Sequence, residues 1–249
     1  MNVSADLRVF PDPPALFRAA AEEFVAQAQS AIGARGRFTV ALAGGSTPKG
    51  LYGRLAGNST LPWDKVFFFF GDERHVSPDS PESNYRMARE SFLSKIPVPP
   101  GNVFRIPAEI ADASQAAAAY EQTLRNFFAA PAGGFPVIDL VLLGMGPDGH
   151  TASLFPGGTA LQENSRWVVS DWVDKFKTDR VTLTLPVLNH ARTVMFVVSG
   201  NDKAATLREV LEGSQPGTQF PAKLIRPQDG NLIWMVDRAA AADVSARRG

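Results

Sequence analysis

Apolar residues fall along this chain in short dense runs separated by polar, glycine-bearing turns. Four runs, 38–43 (FTVALA), 66–70 (VFFFF), 137–143 (VIDLVLL) and 193–199 (TVMFVVS), are those of strands covered on both faces, as in a parallel sheet. A later run, 232–236 (LIWMV), is the last strand, and 103–106 and 167–170 are shorter ones. Residues 180–185 (RVTLTL) alternate in the manner of a half-exposed strand, after a polar stretch at 173–178. Between these the period becomes helical. Leu16, Phe17, Ala20, Ala21, Phe24, Val25, Ala28 and Ile32 recur at helix spacing after Asp12-Pro13-Pro14, with Gly33 and Gly36 ending the run. Further helices are expected from Pro48 through Leu55, over 84–93, over the alanine-rich 113–128, and from Lys203 to Leu211. The alanine-rich tail from Asp237 is expected to fray. Strands alternating with helices predict an α/β fold, a mostly parallel central sheet with helices on both faces. No repeat, linker or boundary interrupts it, so 1–249 reads as one domain.

The four long runs end in GGST, GDER, GMGPDGH and SGNDK. Parallel strands place such ends on one edge, where open α/β sheets hold their ligands, so the four turns should converge. In the central turn Gly144, Gly146 and Gly149 surround Pro147, Asp148 and His150. An imidazole among glycines at a strand end has few packing reasons to be there and suits a general base. The same residues fit G-x-G-x-x-G, with Asp171 near the place of an acidic ribose ligand. That match fails on length, because Pro156, Gly157 and Gly158 stop any helix after Thr151, and a crossover needs a dozen residues or more. Gly44-Gly45-Ser46-Thr47-Pro48 fits an anion site at a helix start, or simply a hydroxyl N-cap. Asp72, Glu73 and Arg74 crowd one strand end, where Arg74 either pairs with a neighbouring acid or serves a ligand. His75 reads as solvated there, and 76–85 as a loop wrapping over this end; His190 reads as a helix-end or loop residue.

Composition narrows the chemistry. Twenty-five basic residues balance twenty-five acidic ones across 249, which gives no sign of a nucleic-acid face. With no cysteine, thiol catalysis, disulfides and thiolate metal sites are excluded. Three scattered histidines leave no convincing metal site, and no G-x-S-x-G supports a serine nucleophile. MNVSADLRVF lacks the features of a signal peptide and no run reaches membrane-span length, so the cytoplasm is the expected compartment and the sequons at Asn2 and Asn58 carry no meaning. Acid–base chemistry on a phosphorylated small molecule remains, with a monomer as the expected state.

LAGGSTP at 42–48, GDER at 71–74, SNY at 83–85, LLGMGPDGHTASLFPG at 142–157, RVTLTLP at 180–186 and SGNDKA at 199–204 together resemble the 6-phosphogluconolactonases, over nearly the whole chain. The resemblance implies a fold shared with glucosamine-6-phosphate deaminase and, more distantly, ribose-5-phosphate isomerase, and hydrolysis of 6-phospho-D-glucono-1,5-lactone in the oxidative pentose phosphate pathway without a cofactor or covalent intermediate. It implies that Gly44, Gly45, Ser46, Thr47, Arg180 and Lys203 hold the phosphate and that Asp72 and Arg74 lie near the sugar ring. His150 would activate water, Asp148 would orient the imidazole or tune its basicity, and Arg74 or backbone N–H groups would stabilise the oxyanion. The deaminase carries a glutamate five residues after the same histidine; Phe155 stands there in this chain, and a phenyl ring cannot relay a proton. Sugar-phosphate-sensing domains of transcription regulators are the other alternative, disfavoured by the balanced charge and by the presence of both Asp148 and His150.

Overall fold

A computed structural model describes residues 5–131 and 133–245; the Asn2 sequon and the last four residues lie outside them. Strand β1 (Asp6–Phe10) leads to helix α1 (Pro13–Arg35), β2 (Phe38–Leu42), α2 (Ser46–Leu55), β3 (Val66–Phe70) and β4 (Asp72–Arg74). Then come α3 (Asn84–Ser91), α4 (Ala113–Phe128), β5 (Leu140–Leu143), β6 (Val168–Val173) and β7 (Thr178–Leu183). The chain ends with α5 (Leu185–Asn189), β8 (Thr193–Val198), α6 (Ala204–Glu212) and β9 (Asn231–Asp237). Six strands form a parallel sheet in the order β1-β9-β8-β5-β2-β3, and β4-β7-β6 form a small antiparallel one.

The run of phenylalanines in β3 shows how the layers are built, since alternate side chains point to opposite faces. Phe67 and Phe69 meet Phe127 of α4 on one face, while Phe68 meets Phe92 and Phe70 meets Tyr85 of α3 on the other. Phe38 of β2 packs edge-on against Phe24 of α1. Burying each such ring contributes about 1.5–3 kcal/mol. Two buried tyrosines then fix the strand ends that carry the turns. The Tyr52 hydroxyl accepts from the Ala43 amide and donates to its carbonyl, and the Tyr120 hydroxyl does the same at Phe70. Burial pushes both phenols up, so they stay neutral donors.

Asp139 interrupts the expected 137–143 strand for a reason. Its carboxylate takes the Thr39 amide at 2.9 Å, the Thr39 hydroxyl at 2.8 Å and Arg35 at 2.7 Å, stitching β2 to the start of β5. Asp139→Ala is expected to cost about 3 kcal/mol, because a buried N–H loses its acceptor and Arg35 its counter-charge. Urea unfolding checks this; an unchanged midpoint would refute it.

Several expectations need correction. Gly33 lies inside α1, and Gly36 in the left-handed region alone caps it. Residues 103–106 make only a bridge from Val103 to Phe68. The alternating strand at 180–185 begins at Thr178 and is buried from Arg180 to Leu183, because it is sandwiched by β4 and β6 and covered on both sides. The tail after Asp237 does not fray over the described residues: Ala240 is fully buried, and Ser245 bonds Glu212. β1 and β4 had no counterpart in the sequence pattern.

Candidate functional site

The turns after β2, β3, β5 and β8 surround one cleft of about 470 Å³, into which the small sheet adds Arg74 and Arg180. Gly44, Gly45, Ser46, Thr47, Asp72, His150 and Lys203 all line it. Of the residues to which the resemblance gives a catalytic or binding role, Asp148 alone stands off the cleft wall, beside His150.

The catalytic candidate is built by its own turn. The Gly146 amide donates to the His150 carbonyl at 2.9 Å, the Gly149 amide to the Gly146 carbonyl at 3.0 Å, and Thr206 of α6 pins the Pro147 carbonyl. This folds Asp148 against the imidazole, where its Oδ1 meets His150 Nδ1 at 2.5 Å and leaves Nε2 free of that bond. A β-carbon on Gly146 would lie 2.1 Å from the imidazole ring, so only glycine permits the pair. Burial opposes ionisation of Asp148, but the His150 bond and charge, followed by Lys175, hold its carboxyl well below the usual carboxylate range. A folded-state pKa below the unfolded one contributes stability at neutral pH that fades as the solution is acidified below about pH 4. Phe155 stacks on His150 with ring centroids 4.3 Å apart, giving the imidazole an apolar shelf.

At the α2 start, Gly45 occupies the N-cap with φ of +100° and no side chain caps the helix, so the hydroxyl N-cap alternative is not realised. The first amides of α2 and the positive helix end therefore face the cleft region without an internal partner. A β-carbon on Gly44 would collide with Asn84, whose amide donates to the Asp72 carbonyl at 3.0 Å. Ser153 donates to Asp72 Oδ2 at 2.6 Å. Lys203, with an 18% exposed side chain, pairs with the open Asp202 at 2.8 Å.

Arg74 does not pair with Asp72 or Glu73 as the first alternative held; its guanidinium donates to the Glu82 carbonyl. Glu73 instead accepts the amides of Arg74, Asn84 and Tyr85 and the Ser83 hydroxyl, which folds the 76–85 loop and starts α3. Burial pushes the Glu73 carboxyl up against the pull of those donors. Arg180 is 7% exposed, and among the described residues its buried Nη1 has no partner. Burial, then the neighbouring Arg74 charge, lowers its pKa. Two adjacent cations and an unsatisfied donor make this wall attractive to an anion. His75 bonds the Ile110 carbonyl instead of standing in solvent, and His190 caps α5. Asn84 and Ser153 lie in the motifs at 83–85 and 142–157 but were given no role there, and Lys175 and Phe176 join the site without a sequence signal, because each acts through a partner 12 to 81 residues away or through the fold of a hairpin. Among the described residues no three of His, Asp or Glu cluster to hold a metal ion, and no helix is long and apolar enough to cross a membrane.

Comparison with known proteins places this arrangement. The family model described as glucosamine-6-phosphate isomerases/6-phosphogluconolactonase matches residues 11–234. A 6-phosphogluconolactonase of Nostoc sp. is 44% identical over 239 residues, covering 96% of this chain and 98% of the relative. The structure of 6-phosphogluconolactonase from Trypanosoma cruzi superposes with a TM-score of 0.88 at 30% identity, covering 99% of each chain. A monomeric glucosamine-6-phosphate deaminase, 22% identical, shares the fold with a TM-score of 0.79 over 96% of this chain and 99% of that one. The chain belongs to the glucosamine-6-phosphate isomerase/6-phosphogluconolactonase family.

Proposed function

We propose that this protein hydrolyses 6-phospho-D-glucono-1,5-lactone to 6-phospho-D-gluconate in the oxidative pentose phosphate pathway. The observation that carries this is the His150–Asp148 pair set between two anion-attracting walls of one cleft. The α2 start, Lys203 and Arg180 hold the phosphate, and Asp72 and Arg74 lie along the sugar. His150 Nε2 takes a proton from water as its oxygen attacks C1, and Arg74 or backbone N–H groups meet the oxyanion. Collapse breaks the C1–O5 bond, and the imidazolium returns the proton to the ring oxygen, so no covalent intermediate forms. Asp148 orients the ring and stabilises the imidazolium. Phe155, stacked on that ring, offers no acid for amino-sugar isomerisation. The chain acts as a single domain and a monomer in the cytoplasm, with no cofactor.

The test is hydrolysis of freshly generated lactone, measured above its spontaneous rate, beside ammonia release from glucosamine 6-phosphate. Fast hydrolysis without ammonia is expected; folded protein that leaves the spontaneous rate unchanged would refute the assignment. Asp148→Asn should lower kcat about tenfold. It also removes the charge that favours the imidazolium, so the acid limb of the rate profile should move to lower pH. An acid limb moving upward would contradict the role of Asp148.

A further inference from the structure

The turn joining β6 to β7 carries groups that the reaction described above does not use. Asp174 closes it internally, accepting from Trp172 Nε1 at 3.2 Å and from Lys177 Nζ at 2.9 Å. Lys175 points elsewhere. Its ammonium reaches Asp148 Oδ2 at 3.0 Å, the oxygen that His150 leaves free. The next residue, Phe176, sits edge-on to Phe155 at 5.8 Å, and Phe155 stacks on His150. The Arg180 guanidinium lies 5.1 Å from the Phe176 ring. One short turn thus touches the carboxylate behind the imidazole, the shelf under it, and a cation of the opposite wall.

The Lys175 side chain is 55% exposed, and an exposed ion pair contributes little to stability. Its consequence is geometric. A carboxylate torsion is broad and two-fold, so a partner on one oxygen alone leaves the group free to swing. A second partner on Oδ2 removes that freedom and holds Oδ1 on His150 Nδ1. We propose that Lys175 is a positioning residue: by clamping the outer oxygen of Asp148 it fixes the carboxylate against His150 and sets Phe176 over the Phe155 shelf. This rests on the lactonase assignment of His150 as the base.

Lys175 faces the Asp148–His150 pair from the hairpin; the other charges around the cleft are Asp72, Arg74, Glu82, Arg180 and Lys203. The Lys175 ammonium opposes a charge on the imidazole. Removing it should let His150 take its proton at higher pH, opposite in direction to the Asp148→Asn effect.

The experiment compares wild type, Lys175→Met and Lys175→Arg in the lactone assay across pH, with the His150 ring titration followed by NMR. For Lys175→Met we expect kcat to fall about tenfold with KM nearly unchanged, from looser orientation of the base. Its acid limb and ring titration should both move to higher pH, and Lys175→Arg should restore all three. A merely structural hairpin contact would not move the titration. Lys175→Met with wild-type kcat and an unmoved titration would overturn the proposal. If wild type failed to hydrolyse the lactone, the assignment of function would fall, whereas the NMR titration would still decide whether Lys175 acts on the pair.

Discussion

His150→Ala is expected to lower kcat for lactone hydrolysis by about 10²–10⁴-fold, the usual contribution of one positioned general base. The protein should remain folded. The His150 side chain is 24% exposed and takes part in little beyond the Asp148 bond and the Phe155 stack, while β5 behind it is completely buried by other contacts. Asp148 keeps the Lys175 ammonium as a partner, so no buried charge is stranded. The anion-attracting elements at the α2 start, Lys203 and Arg180 are untouched, and KM should change far less than kcat. A sugar-phosphate sensor predicts a different outcome, with ligand binding and any regulatory role unaffected. The measurement is initial rate above the spontaneous background, with circular dichroism and a melting curve on the same sample. A folded variant with kcat within threefold of wild type would remove His150 from the chemistry.

The site was legible where chemistry sits within one turn and illegible where it depends on pairing across the chain. The apolar runs of β2, β3, β5 and β8 announce a parallel sheet because both faces are covered, and their ends then had to share an edge. That order alone brings GGST, GDER, the Asp148–His150 turn and Lys203 around one cleft. The small sheet obeys no such pattern. Its strand β4 is the three charged residues Asp72, Glu73 and Arg74, which become strand only because β7 lies beside them. Alternation made 180–185 look half-exposed, yet the same sheet buries Arg180 and Thr182 between neighbours. Among the described residues β1 pairs only with β9, and its mixed pattern is that of an edge strand. The 81-residue link from Ser153 to Asp72 and the 27-residue link from Lys175 to Asp148 are tertiary facts, without a local sequence period to reveal them.

Gly146→Ala is expected to reduce kcat about a hundredfold while shifting the melting temperature little, because small misplacements of a catalytic group can cost that much rate. The added β-carbon would stand 2.1 Å from the His150 ring and 2.8 Å from Asp148 Oδ1, and no real structure tolerates such a contact. Something must move. The cheapest movement is rotation of the imidazole, a side chain on a part-exposed turn, away from the carboxylate and off the Phe155 shelf. The backbone can stay in place, since no positive φ is recorded at Gly146 and its amide bond to the His150 carbonyl survives the substitution. Rate and stability should therefore separate. A backbone role would instead lower both, as expected at Gly149, where φ is +77° and the β-carbon would meet Phe220 at 2.8 Å. Comparing the two alanine variants by melting curve and lactone assay distinguishes the cases. Wild-type kcat in Gly146→Ala would mean that the close Asp148–His150 contact is dispensable, and with it the orientation that makes the imidazole a base toward the cleft.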